Sequence, residues 1–407
     1  MATGAGAGHP GPPAGPVAPG PGAPTARRRW DPLAGARGVD DPTAAPSLDV
    51  FLSGQLFFDM VFTGLDAAPS PGTEVWTTGM GSLPGGIANL AVATSRLGLR
   101  TGLSAGFGDD VYGRFCWQVL HEQEGVDLAH SRVFPGCHSA VTVSMAHHGD
   151  RSMVTHGHPL PVTSAELVGV PPRSRAVITE LALPHGEEPL DPATTAPGGA
   201  DAPWWLAARA QGAAVFADVG WDPSGVWDPA VLERLESCHA FLPNEVEAMA
   251  YTRTSSPERA LAALADRVPL AVVTCGADGA LAVDATTGET ARVPGVPVQA
   301  VDPTGAGDVF GASVVLGTLA GWPLAQRLAF AALSASLAVQ QFGGSLAAPG
   351  WGDIADWWAA TSARAAAGDA GAGEAARRYG FLADLLPSGP VDAVRRAEAT
   401  FALASDL

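Results

Sequence analysis

From Ser47 onward, short apolar runs alternate with longer stretches whose apolar residues recur at helical spacing, whereas residues 1–46 carry neither period. The run LDVFLSGQLFFDMVF (48–62), rich in β-branched and aromatic residues and broken by Gly54, predicts a buried first strand. PGGIANLAVATSRLG (84–98) predicts a glycine turn and then a helix that ends at Gly98. TGLSAGFGDD predicts the next strand, YGRFCWQVLHEQEG the next helix, and another strand starts near Val133. Residues 138–158, HSAVTVSMAHHGDRSMVTHGH, alternate polar and apolar around an HGDR turn, so they predict a hairpin and not a strand–helix unit. A hairpin inserted in such a chain is often the cover of a site.

Apolar runs resume at AVITELAL (176–183), AAVFADVG (213–220), AFLPN (240–244), LAVVTCG (270–276) and ALAVDAT (280–286). The Pro- and Gly-rich residues 187–203 read as a flexible insertion. VPVQAV (296–301) predicts a strand before a helix that opens near Gly305, and LAQRLAFAALSASLAVQQFG predicts a long helix after it. Strand–helix alternation of this kind predicts the α/β class, with a mostly parallel sheet covered by helices on both faces. The expected organisation is a disordered Gly/Pro/Ala-rich segment 1–46, one α/β domain 47–350 with a small β lid near 60–83 and 138–158, and an Ala-rich, partly helical extension 351–407. No internal repeat is present.

Composition narrows the function. A formal charge of −18 with 23 Lys and Arg argues against a nucleic-acid surface, which needs clustered cations. Such a chain has to hold an anionic ligand mainly with backbone amides and a metal ion. Cys116, Cys137, Cys238 and Cys275 show neither CxxC pairing nor zinc spacing, which fits a reducing cytoplasm. The start of the chain has no signal-peptide core, and no run of 18 apolar residues predicts a membrane span.

DPTGAGDVFG (302–311) concentrates the candidate chemistry. Gly305, Ala306 and Gly307 let the backbone approach an anion, and their N–H groups at the positive end of a helix form an anion hole. Asp308 in the first turn is then placed to accept a proton from a substrate hydroxyl while the amides hold a transferring phosphoryl group. The plainer reading is a tight turn with Asp308 as a helix-dipole partner.

This motif is similar to the D-T-x-G-A-G-D signature of the ribokinase-like (PfkB-type) sugar kinase family, and other segments resemble that family in the same order from Leu48 to Pro349. The resemblance implies a three-layer α/β/α ribokinase-like fold and an ATP-dependent kinase acting on a small sugar or sugar acid. GQLFFD looks like the first-strand segment, implying that Asp59 binds sugar hydroxyls. PGGIANLAVATSRLG resembles the glycine-pair signature, implying substrate contacts from Gly85, Gly86 and Asn89. FGDDVYG and EGVD match the stretch that follows. PNEVE resembles the N-x-x-E motif, in which Asn244 and Glu247 organise Mg²⁺ and phosphates through water. TCGADG resembles the nucleotide loop, making Thr274, Gly276 and Gly279 candidates for ATP contacts. Asp302 and the Gly343 region correspond to a frame for a monovalent cation such as K⁺, and the lid implies a homodimer.

Departures are also visible. Pro84 stands where a first glycine often belongs, Pro303 replaces a commoner Thr or Val, and Phe57 occupies a position where ribokinases carry Asn, which argues against simple ribose specificity. Phe57 and the nearby tryptophans also suit a nucleoside acceptor such as adenosine, and a catalytically silent ligand-binding regulator is a further alternative. Six of the ten histidines, His130, His138, His147, His148, His156 and His158, fall within 29 residues. His148 is placed to face His156 or His158 across the hairpin, as a transition-metal pair or as exposed or substrate-facing residues. Trp221 and Trp227 read as loop anchors or substrate contacts, and Arg151 as a solvated turn residue or a cation over the substrate. Asp218 and Asp222, after a buried strand, stay unassigned.

Overall fold

The computed structural model describes residues 30–35, 47–67, 69–147, 150–181, 202–220, 222, 224–389, 391, 394 and 396. The remainder of segment 1–46, most of the 187–203 insertion, His148 and Trp221 lie outside the described residues. In chain order the strands are β1 (Leu48–Ser53), β2 (Leu56–Leu65), β3 (Gly79–Gly86), β4 (Thr101–Ser104), β5 (Gly106–Gly108), β6 (Arg132–Phe134), β7 (Ala140–His147) and β8 (Asp150–His156). They continue as β9 (Ser174–Glu180), β10 (Ala214–Asp218), β11 (Ala240–Phe241), β12 (Leu270–Thr274), β13 (Ala280–Asp284) and β14 (Glu289–Val293).

One sheet of eight strands runs β14-β13-β12-β11-β10-β9-β1-β4. From β12 to β4 all neighbours are parallel, and β13 and β14 close the far side antiparallel. Its strands are apolar on both faces, as a sheet covered twice requires. Along β1, Val50 and Leu52 enter one core while Leu48 and Phe51 enter the other. Along β12, Leu270 and Val272 divide from Ala271 and Val273 in the same way.

Helices α1 (Ala88–Arg96), α2 (Val111–Gln118), and, later in the chain, two long helices at Ala306–Leu319 and Leu324–Ala338 fill the first core. Between them, α3 (Ser164–Val168), α4 (Trp204–Ala210), α5 (Glu245–Thr252) and α6 (Pro257–Ala265) fill the second, so the two long helices are α7 and α8. The result is a three-layer α/β/α domain. Among the described residues no helix is long and apolar enough to cross a membrane.

Three expectations need correction. The predicted first strand is two strands in different sheets: after Gly54 the chain leaves β1 for β2, which belongs to a four-stranded lid sheet of order β3-β2-β7-β8. VPVQAV is not a strand; the strand is the preceding β14, and 294–300 run irregularly toward α7. Part of the N-terminal segment assigned as disordered is packed, since Leu33 is fully buried and Trp30 lies against the same core. Gly98, at φ +88°, makes room for it, because a Cβ there would stand 2.2 Å from the Trp30 carbonyl oxygen.

The C-terminal extension is helical, with α9 (Trp351–Ala366), α10 (Ala370–Arg378) and α11 (Leu382–Leu385). It is no appendage: Trp351, Ile354, Tyr379 and Leu382 are buried in the first core. The junction is secured by Arg96 at the end of α1, whose guanidinium forks onto Glu124 at 2.8 and 3.1 Å and donates to the Leu346 and Ala348 carbonyls at 3.1 and 2.6 Å. Both members of this ion pair are buried. Removing one partner leaves a buried charge unpaired, so Glu124→Ala is expected to cost about 3–5 kcal/mol. A urea midpoint indistinguishable from that of the parent protein contradicts this assignment.

Candidate active site

Carboxylates from β9, β10, α5 and the start of α7 lie near the carboxyl ends of the central strands, and β2 of the lid sheet adds Asp59. The place is set by a turn. Asp302, fully buried, accepts from the Thr304 N–H at 2.8 Å and the Thr304 hydroxyl at 2.7 Å through one oxygen, and from the Gly343 N–H at 3.1 Å through the other. The Gly344 N–H closes the pair of loops by donating to the Thr304 carbonyl at 3.0 Å. Asp302, the expected framer of a monovalent cation, thus serves as the brace that holds the start of α7 against the loop after α8.

Gly305 caps α7 in the left-handed region at φ +78°, and a Cβ on it would lie 3.2 Å from the Gly344 Cα. Helix geometry leaves the first amides of α7 without intrahelical acceptors. The Ala306 N–H makes a turn bond to the Pro303 carbonyl at 3.2 Å, while Gly307 is exposed and its Cα faces open space. Asp308 follows, one helical step inward.

The Asn89 side-chain N–H₂ donates to Asp308 Oδ2 at 3.0 Å, across 219 residues of sequence. The Asn89 amide oxygen is buried without a hydrogen-bond partner, an arrangement that a ligand hydroxyl would satisfy. Burial first, and the nearby Glu180 charge second, push the Asp308 carboxyl up to about 6 against the opposing Asn89 bond.

Asp59 reaches the same region from β2. Its strand neighbours are Leu83 on β3 and Thr142 on β7. Burial pushes its carboxyl up to about 7, the Thr142 hydrogen bond opposes this, and the Asp302 charge adds to it. The glycine pair gives it space: a Cβ on Gly85 would stand 1.9 Å from Asp59 Oδ2, and one on Gly86, at φ +62°, 2.4 Å from the Gln55 carbonyl oxygen. Gly85 is therefore the member of the pair that touches the acid, while Gly86 makes the bend into α1.

Asn244 and Glu247 form a reciprocal cap on α5. The Asn244 side-chain oxygen accepts from the Glu247 N–H at 3.0 Å, and the Glu247 carboxylate accepts from the Asn244 N–H at 2.9 Å. Burial raises the Glu247 carboxyl in spite of these bonds. Thr274 pairs with Asn244 in an isolated parallel bridge. Beyond it, Gly276 at φ +52° and Gly279 at φ +96° make a turn that only glycine follows easily; a Cβ on Gly279 would meet the Val293 carbonyl at 2.0 Å. Gly276, by contrast, faces open space.

The residue that links these halves is Asp218, which the sequence singled out without giving it a role. Asp218, at the end of β10, is driven well above the usual carboxylate range by burial and by the charges of Glu247, Asp308 and Glu180. Its register partner on β9 is Glu180. The available signal was two acids each closing an apolar strand of a parallel sheet, where ligand sites form. Carboxylates that raise one another in this way suit a hard, oxygen-liganded cation such as Mg²⁺.

The remaining candidates separate. Asp222 organises a turn, accepting from Ser224 N–H and hydroxyl and from the Trp227 N–H. Trp227 packs edge-on against Tyr251 at 5.3 Å within the second core, as a loop anchor. Arg151 pairs with Ala146 near the hairpin turn, four residues along β8 from Thr155, the partner of Thr142.

Because Gly85 abuts Asp59, Gly85→Ala is expected to destabilise the unliganded protein by about 1–3 kcal/mol through overpacking. Gly307→Ala, in open space inside a helix, should leave stability unchanged or slightly higher. Thermal melts of both variants check the contrast, and equal melting temperatures would refute the Gly85 contact.

Comparison with known proteins agrees with this geometry. Residues 77–350 match the model of the pfkB family carbohydrate kinases. A fructokinase from Klebsiella pneumoniae is 32% identical over 277 residues, 65% of this chain and 85% of that protein. Ribokinase from Bacillus subtilis is 27% identical over 300 residues, covering 72% and 94% of the two chains. In three dimensions, the structure of Arabidopsis thaliana ribokinase complexed with ribose and ATP superposes with a TM-score of 0.59 at 23% identity, over 77% of this chain and 98% of that one, a likeness of fold.

Proposed function

We propose, since this chain belongs to the pfkB family of carbohydrate kinases, that Asp308 is the general base of an ATP-dependent phosphoryl transfer to a hydroxyl of a small sugar or sugar acid. ATP-dependent carbohydrate phosphorylation is the activity that membership carries. The observation that supports the residue assignment best is the 3.0 Å bond from Asn89 to Asp308 at the head of α7, next to open space at Gly307.

In this reading the acceptor lies between Asp59, Asn89 and Asp308, with Gly85 and Gly86 forming the floor. Asp59 and the Asn89 amide oxygen bind hydroxyls; Asn89 also orients the base. Asp308 takes the proton of the attacking hydroxyl as its oxygen bonds to the γ-phosphorus. The bond from that phosphorus to the β,γ-bridging oxygen breaks, and ADP carries the released electron pair. The N–H groups at Gly305 and Gly307, joined by that of Ala306 when it exchanges its 3.2 Å bond to the Pro303 carbonyl for the ligand, would stabilise the charge that develops on the transferring group.

Thr274, Gly276 and Gly279 shape the bed of the nucleotide, and Asn244 with Glu247 orders the phosphate side. Mg²⁺, bound through water by Glu247 and Asp218, would neutralise phosphate charge there. Closure of the lid sheet excludes water and so protects ATP from hydrolysis. The outer position of β8 in that sheet also supports a homodimer formed through the lid.

ADP release across sugars, sugar acids and nucleosides, with Mg²⁺ present and K⁺ exchanged for Na⁺, tests the reading. Turnover is expected with a sugar or sugar acid, and Asp308→Asn should lose several orders of magnitude in kcat while still binding ATP. Unchanged turnover in that variant removes Asp308 from the role of base; selective turnover of adenosine moves the acceptor class to nucleosides.

The raised carboxyls set the pH dependence. Both acids have to be ionised to work, and both gain their proton as pH falls through about 7 for Asp59 and about 6 for Asp308. The acceptor kcat/KM is therefore expected to fall in two steps on the acid side, and Asp59→Asn should abolish the upper one. A profile flat down to pH 5 would contradict both roles.

A further inference from the structure

Outside the active site, the lid carries a group of side chains that phosphoryl transfer does not use. His138, His156 and His158 are exposed, and one ring nitrogen of each lies within 4.8 Å of the others. Ring centroids are 5.3 Å apart for His138 and His156, which stack, and 4.6 and 5.2 Å for the edge-on pairs each makes with His158. The pairing expected from sequence was His148 with His156 or His158; His148 lies outside the described residues, and it is His138 that meets the other two.

The backbone explains the convergence. His156 ends β8, and the chain stays free of helix through Leu160. Residues two apart in an extended segment share a face, so His156 and His158 project together. Gly157 between them lets the segment pass close to the chain that enters β7, because a Cβ there would stand 2.7 Å from the Ala140 Cβ. His138 comes from that entering chain. Its neighbour Ser139 is fixed by Asp110, which accepts from the Ser139 N–H at 2.6 Å and the Ser139 hydroxyl at 2.8 Å. The His138 Nδ1 lies 3.2 Å from the Ser139 carbonyl, an acceptor for Nδ1–H that leaves Nε2 with its lone pair.

We propose that His138, His156 and His158 form a binding site for a divalent transition-metal ion of the zinc class, which clamps the open end of the β7–β8 hairpin. Three imidazoles suit Zn²⁺, Co²⁺, Ni²⁺ or Cu²⁺ and not Mg²⁺, so the site differs in chemistry from the carboxylates around Asp218. Zinc holds imidazole nitrogens at about 2.0–2.1 Å, so side-chain rotations of about 1 Å bring this triad to tetrahedral spacing, with the fourth position left to water. A hydrogen bond at the second ring nitrogen, as at His138, is the usual companion of such a ligand. The clamp would lie four residues before Thr142, which bonds Asp59 and whose hydroxyl pairs with that of Thr155 at 3.1 Å. Occupancy would thereby brace the lid strand that supports the acceptor acid.

The test uses the full chain without a polyhistidine tag, titrated with Co²⁺ in excess Mg²⁺ and followed by the visible d–d absorption. One Co²⁺ per chain is expected, displaced by one Zn²⁺ and accompanied by a rise in melting temperature. His156→Gln and His138→Gln should each weaken binding at least tenfold, whereas His147→Gln should not, with the metal-free melting temperature and the basal kinase activity unchanged in all three. The proposal is overturned if the wild-type chain binds no Co²⁺ at millimolar concentration. It is equally overturned if the variant lacking all three histidines keeps the wild-type affinity.

Discussion

The arrangement turns on one buried carboxylate. Asp302 spends both oxygens on hydrogen bonds to Thr304 and Gly343, and so locks two loops that lie far apart in sequence. On one side of the lock the left-handed Gly305 opens α7 and presents Asp308. On the other, Gly344 borders Leu83 and Asn89, and Ser345 donates its hydroxyl to the Pro84 carbonyl. Asp308, the Asn89 amide that bonds it and the strand carrying the glycine pair are thus referred to one fixed point. A carboxylate held by several donors in a dry interior is rigid because each lost bond would leave a buried polar group unsatisfied.

A second constraint is charge. Asp59, Asp218, Glu247 and Asp308 are all displaced above the ordinary carboxylate range, with burial the leading cause for each. Such a set destabilises the empty protein at neutral pH and is retained where its chemistry requires it. Apolar burial in the two cores offsets this cost elsewhere in the fold. In the proposed reading, amides at the start of α7 and a cation among the carboxylates would take the place of a basic surface in binding ATP.

The lid couples the two ideas. Its strands β2 and β7 carry Asp59 and Thr142 in register, and Gly85 on β3 yields the volume that the Asp59 carboxylate occupies. Asp59 therefore belongs to the cover and Asp308 to a helix packed on the central sheet, so in the proposed reading bringing the cover down would assemble the two halves of the site. The histidine triad sits at the open end of the same cover, in a position to influence how firmly β7 is held.

The sequence by itself determined the class of fold, because strands covered on both faces read as largely apolar runs and the helices between them repeat at 3.6 residues. It also determined the glycine turn at 302–308 that opens a helix and the capping pair Asn244 and Glu247, whose chemistry is local and needs only neighbours in the chain. It misread the segment at Gly54, where one apolar run supplies two sheets, since periodicity does not say which partner a strand will find. Leu33 was hidden for a related reason: a single short packed stretch, residues 30–33, within a Gly- and Pro-rich segment carries no period. Only the tertiary structure decided that Asn89 bonds Asp308, that Asp218 feels the charges of both Glu247 and Asp308, and that His138 joins His156 and His158. Those relations join residues distant in sequence, and their energies depend on burial and on through-space charge, which exist only after the chain has closed on itself.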